Sequence, residues 1–316
     1  MATQPGTRHV EHEITVAAPA DTVYELIAEV RNWPRIFPPT IYVDHLHKSG
    51  NQERIRIWAT ANGTAKNWTS RRVLDPEALR IEFRQEVSAP PVAAMGGTWI
   101  IEPRPGAGSR IRLLHDYRAV DDDPEGLAWI DRAVDTNSRH ELEALKRNVE
   151  AAHGARDLTF SFEDSVRVGG SGRDVFAFLN EAQLWAERLP HVAKVRLEED
   201  GEGLQSLEMD TVARDGSTHT TKSFRVTFPY HAIAYKQVTL PALLSLHTGL
   251  WTISEDGAGG VLATSRHTVV IDPERIEGVL GAGAGAADAK AYVQGALSAN
   301  SRATLTHAKD YAEKQS

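Results

Sequence analysis

Apolar and polar residues alternate over several short segments in the first part of the chain. The first segment, Val10 to Val16, is followed by six more. Alternation of this kind places the apolar side chains on one face of a β-strand. Breakers such as Asn62-Gly63 and Asp75-Pro76 separate most segments, which favours strands joined by short turns. The six later strands are predicted at residues 40–47, 53–60, 65–74, 79–87, 97–103 and 110–119.

Apolar residues at helical spacing occur at two places in the same part of the chain. One stretch follows Pro19 and ends near Val30. A longer stripe runs from Leu127 to Val149, after an acidic start at residues 121–124 that suits the positive end of a helix. The order strand, helix, six strands, long helix predicts an α+β fold. In such a fold one terminal helix covers an antiparallel sheet.

The same order of elements begins again after residue 153. Three landmarks recur: a Trp and a His sixteen residues apart, a Ser-x-Arg motif and an Asn-Ser-Arg triplet. A duplicated domain accounts for all three, and we predict domains at 1–153 and 154–316. The matching landmarks are Trp99 and His115 with Trp251 and His267, Ser70-x-Arg72 with Ser223-x-Arg225, and Asn137-Ser138-Arg139 with Asn300-Ser301-Arg302.

Polar residues interrupt three faces of the first half that the pattern predicts to be buried. Arg72 shares a strand face with Trp68 and Ser70, and His115 shares one with apolar neighbours. Asn137 lies within the apolar stripe of the long helix. Together these residues predict one polar-lined pocket. Each also has a simpler explanation, since Arg72 could be a surface ion-pair residue and His115 or Asn137 a satisfied core residue.

Composition and charge exclude several classes of protein. The formal net charge is -8, so no basic surface for nucleic acid is expected. The chain has no cysteine and no apolar run long enough to span a membrane, and its first residues do not form a signal peptide. His45 and His47 share a strand face but lack a third ligand at matching spacing, so no metal site is predicted. We expect a cytoplasmic protein.

Several motifs resemble the aromatase/cyclases of bacterial type II polyketide synthases. They are Asn32–Phe37, Trp68–Arg72, Met95-x-x-x-Trp99 and the helix that carries Asn137-Ser138-Arg139. The duplication is similar to the didomain subgroup that acts on ketoreduced chains. The resemblance implies two tandem helix-grip domains of the START/Bet v1-like superfamily. In each, a curved antiparallel sheet surrounds a long C-terminal helix and encloses a cavity.

The resemblance also implies a reaction and partners. The substrate would be a poly-β-ketone held as a thioester on an acyl carrier protein, supplied by other subunits of the synthase. An aldol reaction would join C7 to C12, and the reduced C9 hydroxyl would leave as water. This chemistry requires no cofactor.

Four residues of the first half suit that chemistry. Arg72 offers forked donors for an enolate oxygen, and His115 titrates near neutrality and can move protons. Ser70 would orient a carbonyl group, and Asn137 would donate a hydrogen bond from the helix. The expected apolar pocket walls are Trp33, Phe37, Trp68, Met95, Trp99 and Tyr117, with a core-anchor role as the alternative for Trp33.

The second half departs from this pattern. Phe224, Val226 and Phe228 flank Arg225 on the opposite face, which predicts that Arg225 points away from a packed face. His267 keeps apolar neighbours on its own face. The second cavity is therefore either catalytic with altered residues or a retired, stabilising domain, and we expect the chemistry in the first half. Candidates for a second pocket are His191, Ser223, Arg225, His267 and Asn300.

Two functions outside catalysis are compatible with a helix-grip fold. A carrier of apolar molecules would tolerate apolar replacements at Arg72 and His115 while binding is kept. A protein-interaction module would present both residues to solvent. The positions of Arg72 and His115 therefore discriminate among the three functions.

Overall fold

The computed structural model describes residues 6–106, 108–151, 158–200, 203–212, 216, 218–257 and 260–315. Contacts divide the chain into two compact units, Met1–Arg156 and Asp157–Ser316, called here the N-terminal and C-terminal domains. The predicted boundary between residues 153 and 154 falls within 152–157, outside the described residues. Within the described ranges, no helix is both long enough and apolar enough to cross a bilayer.

The N-terminal domain is one seven-stranded antiparallel sheet with two short helices near its start and one long helix at its end. The strand order in the sheet is β1-β7-β6-β5-β4-β3-β2. The elements are β1 (Arg8–Val16), α1 (Ala20–Ala28), α2 (Trp33–Ile36), β2 (Thr40–Ser49), β3 (Gln52–Ala61), β4 (Thr64–Asp75), β5 (Arg80–Val87), β6 (Val92–Arg104), β7 (Gly108–Ala119) and α3 (Pro124–Ala151).

The C-terminal domain repeats this order, and its sheet has the equivalent strand order β8-β14-β13-β12-β11-β10-β9. One short helix, α6, is added before the last helix. The elements are β8 (Thr159–Val168), α4 (Gly172–Asn180), α5 (Trp185–Arg188), β9 (Val192–Glu199), β10 (Leu204–Val212), β11 (Thr218–Phe228), β12 (Ala232–Thr239), β13 (Leu244–Glu255), β14 (Val261–Ile271), α6 (Ile276–Leu280) and α7 (Ala286–Gln315). The predicted α+β architecture is confirmed in both halves.

Local side chains set where the helices begin. At the start of α3 the Asp123 carboxylate accepts a hydrogen bond from the Gly126 amide at 2.7 Å. At the start of α4 the Ser171 hydroxyl accepts one from the Asp174 amide at 3.1 Å. Each bond satisfies an amide that has no partner within the first helical turn.

The long helix α3 is apolar at both ends of its buried face and polar between them. Near its C-terminal end, Leu142, Leu145 and Val149 join the main core of the N-terminal domain. Near its N-terminal end, Val134 joins a second cluster. Ser138 lies between these clusters and is buried. The buried polar residue in this stripe is therefore Ser138, and the predicted Asn137 beside it is half-buried.

Candidate active site

In the N-terminal domain, five residues on five adjacent strands lie directly opposite one another. The register pairs Glu53 with Arg72, Arg72 with Phe83, Phe83 with Gly97, and Gly97 with His115. Directly opposed residues on neighbouring antiparallel strands project to the same face of a sheet. We name this set the N-terminal row.

The C-terminal domain contains an equivalent row. Here Gln205 pairs with Arg225, Arg225 with Tyr235, Tyr235 with Gly249, and Gly249 with His267. The arginine, glycine and histidine are therefore retained in this C-terminal row. A glutamine replaces the glutamate, and a tyrosine replaces the phenylalanine.

Arg72 fastens strand β4 to the end of helix α1. Its side chain is 1% exposed, and its Nη1 lies 2.9 Å from the buried Glu53 carboxylate. The guanidinium also donates to the carbonyl oxygens of Ile27 and Ala28 at 3.3 Å and lies 5.0 Å from the centre of the Trp33 ring. Burial lowers the pKa of Arg72 to about 10, and Glu53 acts against this shift.

Arg72 and His115 project to one face but do not meet. Three strand spacings separate them, which corresponds to about 14 Å. The Phe83 ring stands between them, with its centre 5.5 Å from that of the His115 ring in an edge-on arrangement. A Cβ atom at Gly97 would lie 2.6 Å from Cζ of Phe83, so glycine makes room for this ring. Arg72 and His115 share an interior face without forming a contact pair.

His115 is a neutral imidazole in apolar surroundings. The residue is half-buried, and its Nδ1 is buried with no hydrogen-bond partner among the described residues. Burial and, to a smaller extent, His12 lower the pKa of His115 to about 4, and Asp116 acts in the opposite direction. At neutral pH the ring therefore has one nitrogen with a free lone pair and one N–H group, as proton transfer requires.

Ser70 and Asn137 occupy the same domain in different surroundings. Ser70 is buried on β4. The Asn137 amide donates to the carbonyl oxygen of Thr60 at 3.0 Å, so it fastens α3 to the end of β3. The role of Asn137 as a donor to a substrate ketone remains a prediction.

Three of the predicted wall aromatics form one stack inside the main core. Phe37 stacks on Trp99 with ring centres 5.8 Å apart, and Trp33 meets Phe37 edge-on at 5.5 Å. The indole N–H of Trp33 donates to the Ile27 carbonyl at 2.9 Å. These contacts favour the core-anchor role for Trp33.

The other three wall residues lie elsewhere in the N-terminal domain. Trp68 is half-buried and packs against an apolar cluster on β2 and β3. The Met95 sulfur accepts a hydrogen bond from the Gln85 amide at 3.5 Å. The Tyr117 hydroxyl donates to Asp131 at 2.6 Å, and burial raises the pKa of this phenol.

Arg225 is buried, so the prediction that it points away from a packed face was wrong. Its exposure is 2%, and its Nη2 donates to the Leu179 carbonyl at 2.6 Å. The prediction failed because Phe224 and Val226 on the other face are buried as well. A strand buried on both faces has no polar side, so alternation does not reveal its orientation.

Arg225 lacks the directly opposed carboxylate that Glu53 provides for Arg72. Gln205 stands in the position of Glu53, and its amide donates to Glu199 at 3.1 Å. Arg225 lies 5.3 Å from the centre of the Trp185 ring, and its Nη1 is buried without a hydrogen-bond partner among the described residues. Burial lowers the pKa of Arg225 to about 10, against the effect of Glu199.

A chain of buried hydrogen bonds surrounds His267. Its Nε2 lies 2.6 Å from the Ser301 hydroxyl, and its Nδ1 lies 2.9 Å from Nε2 of His247. Nδ1 of His247 lies 2.8 Å from the Gln237 carbonyl oxygen. The Tyr235 hydroxyl lies 3.1 Å from Nδ1 of His267 and 3.4 Å from Nε2 of His247. We name these five residues the C-terminal chain.

Burial keeps the titratable members of the C-terminal chain uncharged. It lowers the pKa of His267 to about 4, with Asp164 acting in the opposite direction. Burial and the neighbouring His267 lower the pKa of His247 well below its ordinary value. Burial raises the pKa of Tyr235. At neutral pH, all three rings are therefore neutral hydrogen-bonding groups.

The lowered pKa of His267 predicts a loss of stability in acid. Its ordinary value is 6.5 and its folded value about 4, so the unfolded chain takes up the proton first as pH falls. Stability is fully present above pH 6.5, and between pH 6.5 and 4 it should fall by about 3 kcal/mol from this residue alone. Urea unfolding at several pH values measures this. A His267→Phe variant that loses as much stability as the wild type over this range would contradict the prediction.

The remaining second-pocket candidates lie at three separate places in the C-terminal domain. Ser223 is buried on β11. His191 is half-buried before β9, where burial and the nearby His307 lower its pKa. The carbonyl oxygen of Asn300, next to Ser301 in α7, accepts a hydrogen bond from the Thr304 hydroxyl at 2.9 Å.

Sequence reasoning missed the middle positions of both rows. Phe83 and Gln85 in β5 correspond to Tyr235 and Gln237 in β12, as an aromatic residue followed two positions later by glutamine. This repeated pattern is visible in the sequence and would have located them. Glu53, the partner of Arg72, leaves no such pattern because Gln205 replaces it.

The fold and the two rows define a two-domain helix-grip protein with a histidine at the equivalent position of each sheet. The family described as "Polyketide cyclase / dehydrase and lipid transport" matches residues 7–150 and again residues 159–313. The chain belongs to this family.

Close relatives narrow the class. The chain is similar to the granaticin polyketide synthase bifunctional cyclase/dehydratase of Streptomyces virginiae, with 56% identity over 303 residues, 94% of this chain and 97% of the relative. It is 47% identical to the actinorhodin polyketide synthase bifunctional cyclase/dehydratase of Streptomyces coelicolor over 315 residues, 96% of this chain and 97% of the relative.

Solved structures show the same organisation. The di-domain ARO/CYC BexL from the BE-7585A biosynthetic pathway is 63% identical with a TM-score of 0.87, over 97% of this chain and 99% of that chain. The di-domain ARO/CYC StfQ from the steffimycin pathway is 34% identical with a TM-score of 0.86, over the same shares. The predicted resemblance to didomain aromatase/cyclases is confirmed, and the chain is an enzyme of the polyketide cyclase/dehydratase class.

Proposed function

We propose that this protein closes and aromatises the first ring of a C9-reduced poly-β-ketone chain bound to an acyl carrier protein. An aldol reaction joins C7 to C12, and the C9 hydroxyl then leaves as water. The observation that carries the proposal is the half-buried His115 imidazole on the interior face of the N-terminal sheet, which is neutral because burial lowers its pKa to about 4.

A neutral imidazole suits both proton transfers of ring closure. Its free nitrogen removes a proton from a carbon that lies between two carbonyl groups. The resulting carbanion attacks the acceptor carbonyl, and the imidazolium then returns the proton to the new alkoxide oxygen. Positioned acid–base groups of this kind contribute on the order of 10²–10⁴ in rate. Phe83 covers one side of His115 and keeps water away from the reacting carbons.

Arg72 is assigned a positioning role in this proposal. Glu53 and the carbonyl oxygens at the end of α1 take up its terminal nitrogens, which leaves them unavailable to an enolate oxygen. By holding α1 against β4, Arg72 keeps Trp33 and the core beside it in place. Ser70 and Asn137 stay in the proposal as groups that orient substrate carbonyls.

The proposed partners are an acyl carrier protein and the other subunits of a type II polyketide synthase. The relatives described above are named as cyclase/dehydratases of polyketide synthases, and each is matched over nearly its whole length. A polyketide chain with free ketones reacts spontaneously, so carrier attachment lets it pass to this protein without release into water.

Reconstitution tests the proposed function. A minimal synthase, its carrier protein and a ketoreductase are incubated with and without this protein, and the products are separated and weighed by mass spectrometry. We expect the protein to shift the products to an aromatic first ring closed between C7 and C12. Identical products in both reactions would overturn the proposal. Binding of the chain without altered products would favour the carrier function.

A further inference from the structure

We propose that the C-terminal domain carries out the loss of water, with the Tyr235 hydroxyl as the group that touches the substrate and the paired imidazoles of His247 and His267 as its proton store. Gln237 and Ser301 hold the two rings in register. This inference rests on the proposed function and assigns its second step to a separate site.

The two domains differ at two positions of the C-terminal chain and at Ser265, whose hydroxyl lies 3.1 Å from Nε2 of His267. Tyr235 replaces Phe83, His247 replaces Met95, and Ser265 replaces Leu113. The N-terminal domain reaches the same fold with apolar residues at these positions. The polar set is therefore not required by the fold. Burial of polar groups is unfavourable unless each is hydrogen-bonded, and the C-terminal chain meets that condition at every ring nitrogen.

The hydrogen bonds of the chain share one direction. A neutral imidazole donates from one nitrogen and accepts at the other, so the orientation of one bond fixes all the others. If His247 donates to the Gln237 oxygen, then His267 donates to His247, and Ser301 donates to His267. The opposite direction is equally consistent after the Gln237 amide turns over. In both cases one of the two facing nitrogens holds a proton and the other holds a lone pair.

The Tyr235 hydroxyl lies close to both of the facing imidazole nitrogens. It is 3.1 Å from Nδ1 of His267 and 3.4 Å from Nε2 of His247, and these are the two facing nitrogens. The phenol therefore lies within hydrogen-bonding distance of one nitrogen that carries a proton and of one that carries a lone pair. Gly249 permits this position, because a Cβ atom there would overlap the Tyr235 ring.

Of the three rings in the C-terminal chain, that of Tyr235 belongs to the most exposed residue. His247 and His267 are 2% and 4% exposed, whereas Tyr235 is only half-buried. The two imidazoles therefore act through the phenol. Tyr235 therefore has the catalytic role. His247 and His267 hold the proton, and Gln237 and Ser301 position these two rings.

Tyr235 and the two imidazoles take up and return every proton that the elimination of water moves. The Tyr235 oxygen takes the proton from the carbon next to the substrate carbonyl while the phenol proton passes to the imidazole pair. The C–H electrons form an enolate. The enolate then forms the C=C bond as the C–O bond breaks, and Tyr235 gives its proton to the departing oxygen, which leaves as water. The imidazolium returns its proton to the phenol, so the site is regenerated.

A Tyr235→Phe variant tests the inference. It removes only the hydroxyl and restores the residue found at position 83. In the reconstituted synthase we expect first-ring closure to continue and dehydration to slow by on the order of 10²-fold. A ring-closed product one water heavier should accumulate. The His247→Met variant, which copies Met95, should slow the same step by a smaller factor and show the same heavier product.

Two controls keep the outcomes distinct. Tyr292→Phe removes an exposed phenol from α7 and should dehydrate at the wild-type rate. Circular dichroism and thermal unfolding confirm that each variant is folded, and if Tyr235→Phe is not, His247→Met supplies the test. Wild-type dehydration in a folded Tyr235→Phe variant would overturn this inference alone. A wild-type protein with no effect on the products would overturn the proposed function and the inference together.

Discussion

Replacing His115 with glutamine is expected to lower first-ring closure by on the order of 10³-fold while the fold is kept. Glutamine retains hydrogen-bonding groups of similar reach but cannot accept and return a proton. The rate of first-ring product in the reconstituted synthase measures the effect. His140→Gln is the matched control, because His140 is an exposed histidine on α3, and it should leave the rate unchanged.

The His115 result separates catalysis from binding. If the imidazole only fills space, glutamine should retain most of the activity. A folded His115→Gln variant that closes the ring within about threefold of the wild-type rate would therefore count against proton transfer in the N-terminal domain, since a positioned acid–base group contributes far more.

Arg72→Met is expected to destabilise the N-terminal domain by about 3–5 kcal/mol, as removal of one partner of a buried ion pair typically does. The variant removes the guanidinium partner of the buried Glu53 carboxylate, which keeps only His45 at 2.9 Å and Lys48 at 3.7 Å, and frees the carbonyl oxygens of Ile27 and Ala28. Urea unfolding measures the change. Arg80→Met is the control, because Arg80 pairs with Glu82 at the surface and should change stability by less than about 1 kcal/mol.

A second substitution tests the cause of that loss. Adding Glu53→Leu to Arg72→Met removes the buried carboxylate that has lost its guanidinium partner and should restore a large part of the stability. If the double variant is less stable than the wild type by the sum of the two single effects, the two residues act independently. The assignment of Arg72 and Glu53 as a coupled anchor would then be wrong.

The strands and the duplication were predictable because they depend on local patterns. The alternating segments 53–60 and 65–74 correspond to the strands Gln52–Ala61 and Thr64–Asp75 of the structure. They were predictable because every second residue of such a strand faces the core. The repeat of His115 at His267 was visible because sixteen residues separate each from a tryptophan. Both kinds of signal lie within one strand or one hairpin.

The composition of the rows was not predictable in the same way. A row depends on the register of five strands, and a bulge between Thr69 and Ser70 shifts the pairing of β4 with β5. The sequence does not mark such shifts, so the place of Phe83 between Arg72 and His115 became visible only in the structure. Because the sequence does not mark the register, it also did not show that Phe83 separates Arg72 from His115, and these two residues were expected to meet.

Polar groups lie at different ends of the N-terminal row and the C-terminal row. In the N-terminal row, Glu53 neutralises Arg72 at one end and leaves His115 in apolar surroundings at the other. In the C-terminal row, Gln205 carries no charge and the polar groups gather around His267. The two domains therefore place different polar groups at equivalent cross-strand positions of the same fold.

The central claim is that His115 moves the proton in ring closure and Arg72 only holds the domain together. The most direct test compares first-ring closure by His115→Gln with that by the repaired Arg72→Met/Glu53→Leu variant, both at a temperature where they are folded. We predict that the repaired variant keeps most of the wild-type rate and that His115→Gln loses nearly all of it. A folded repaired variant as inactive as His115→Gln would contradict the claim.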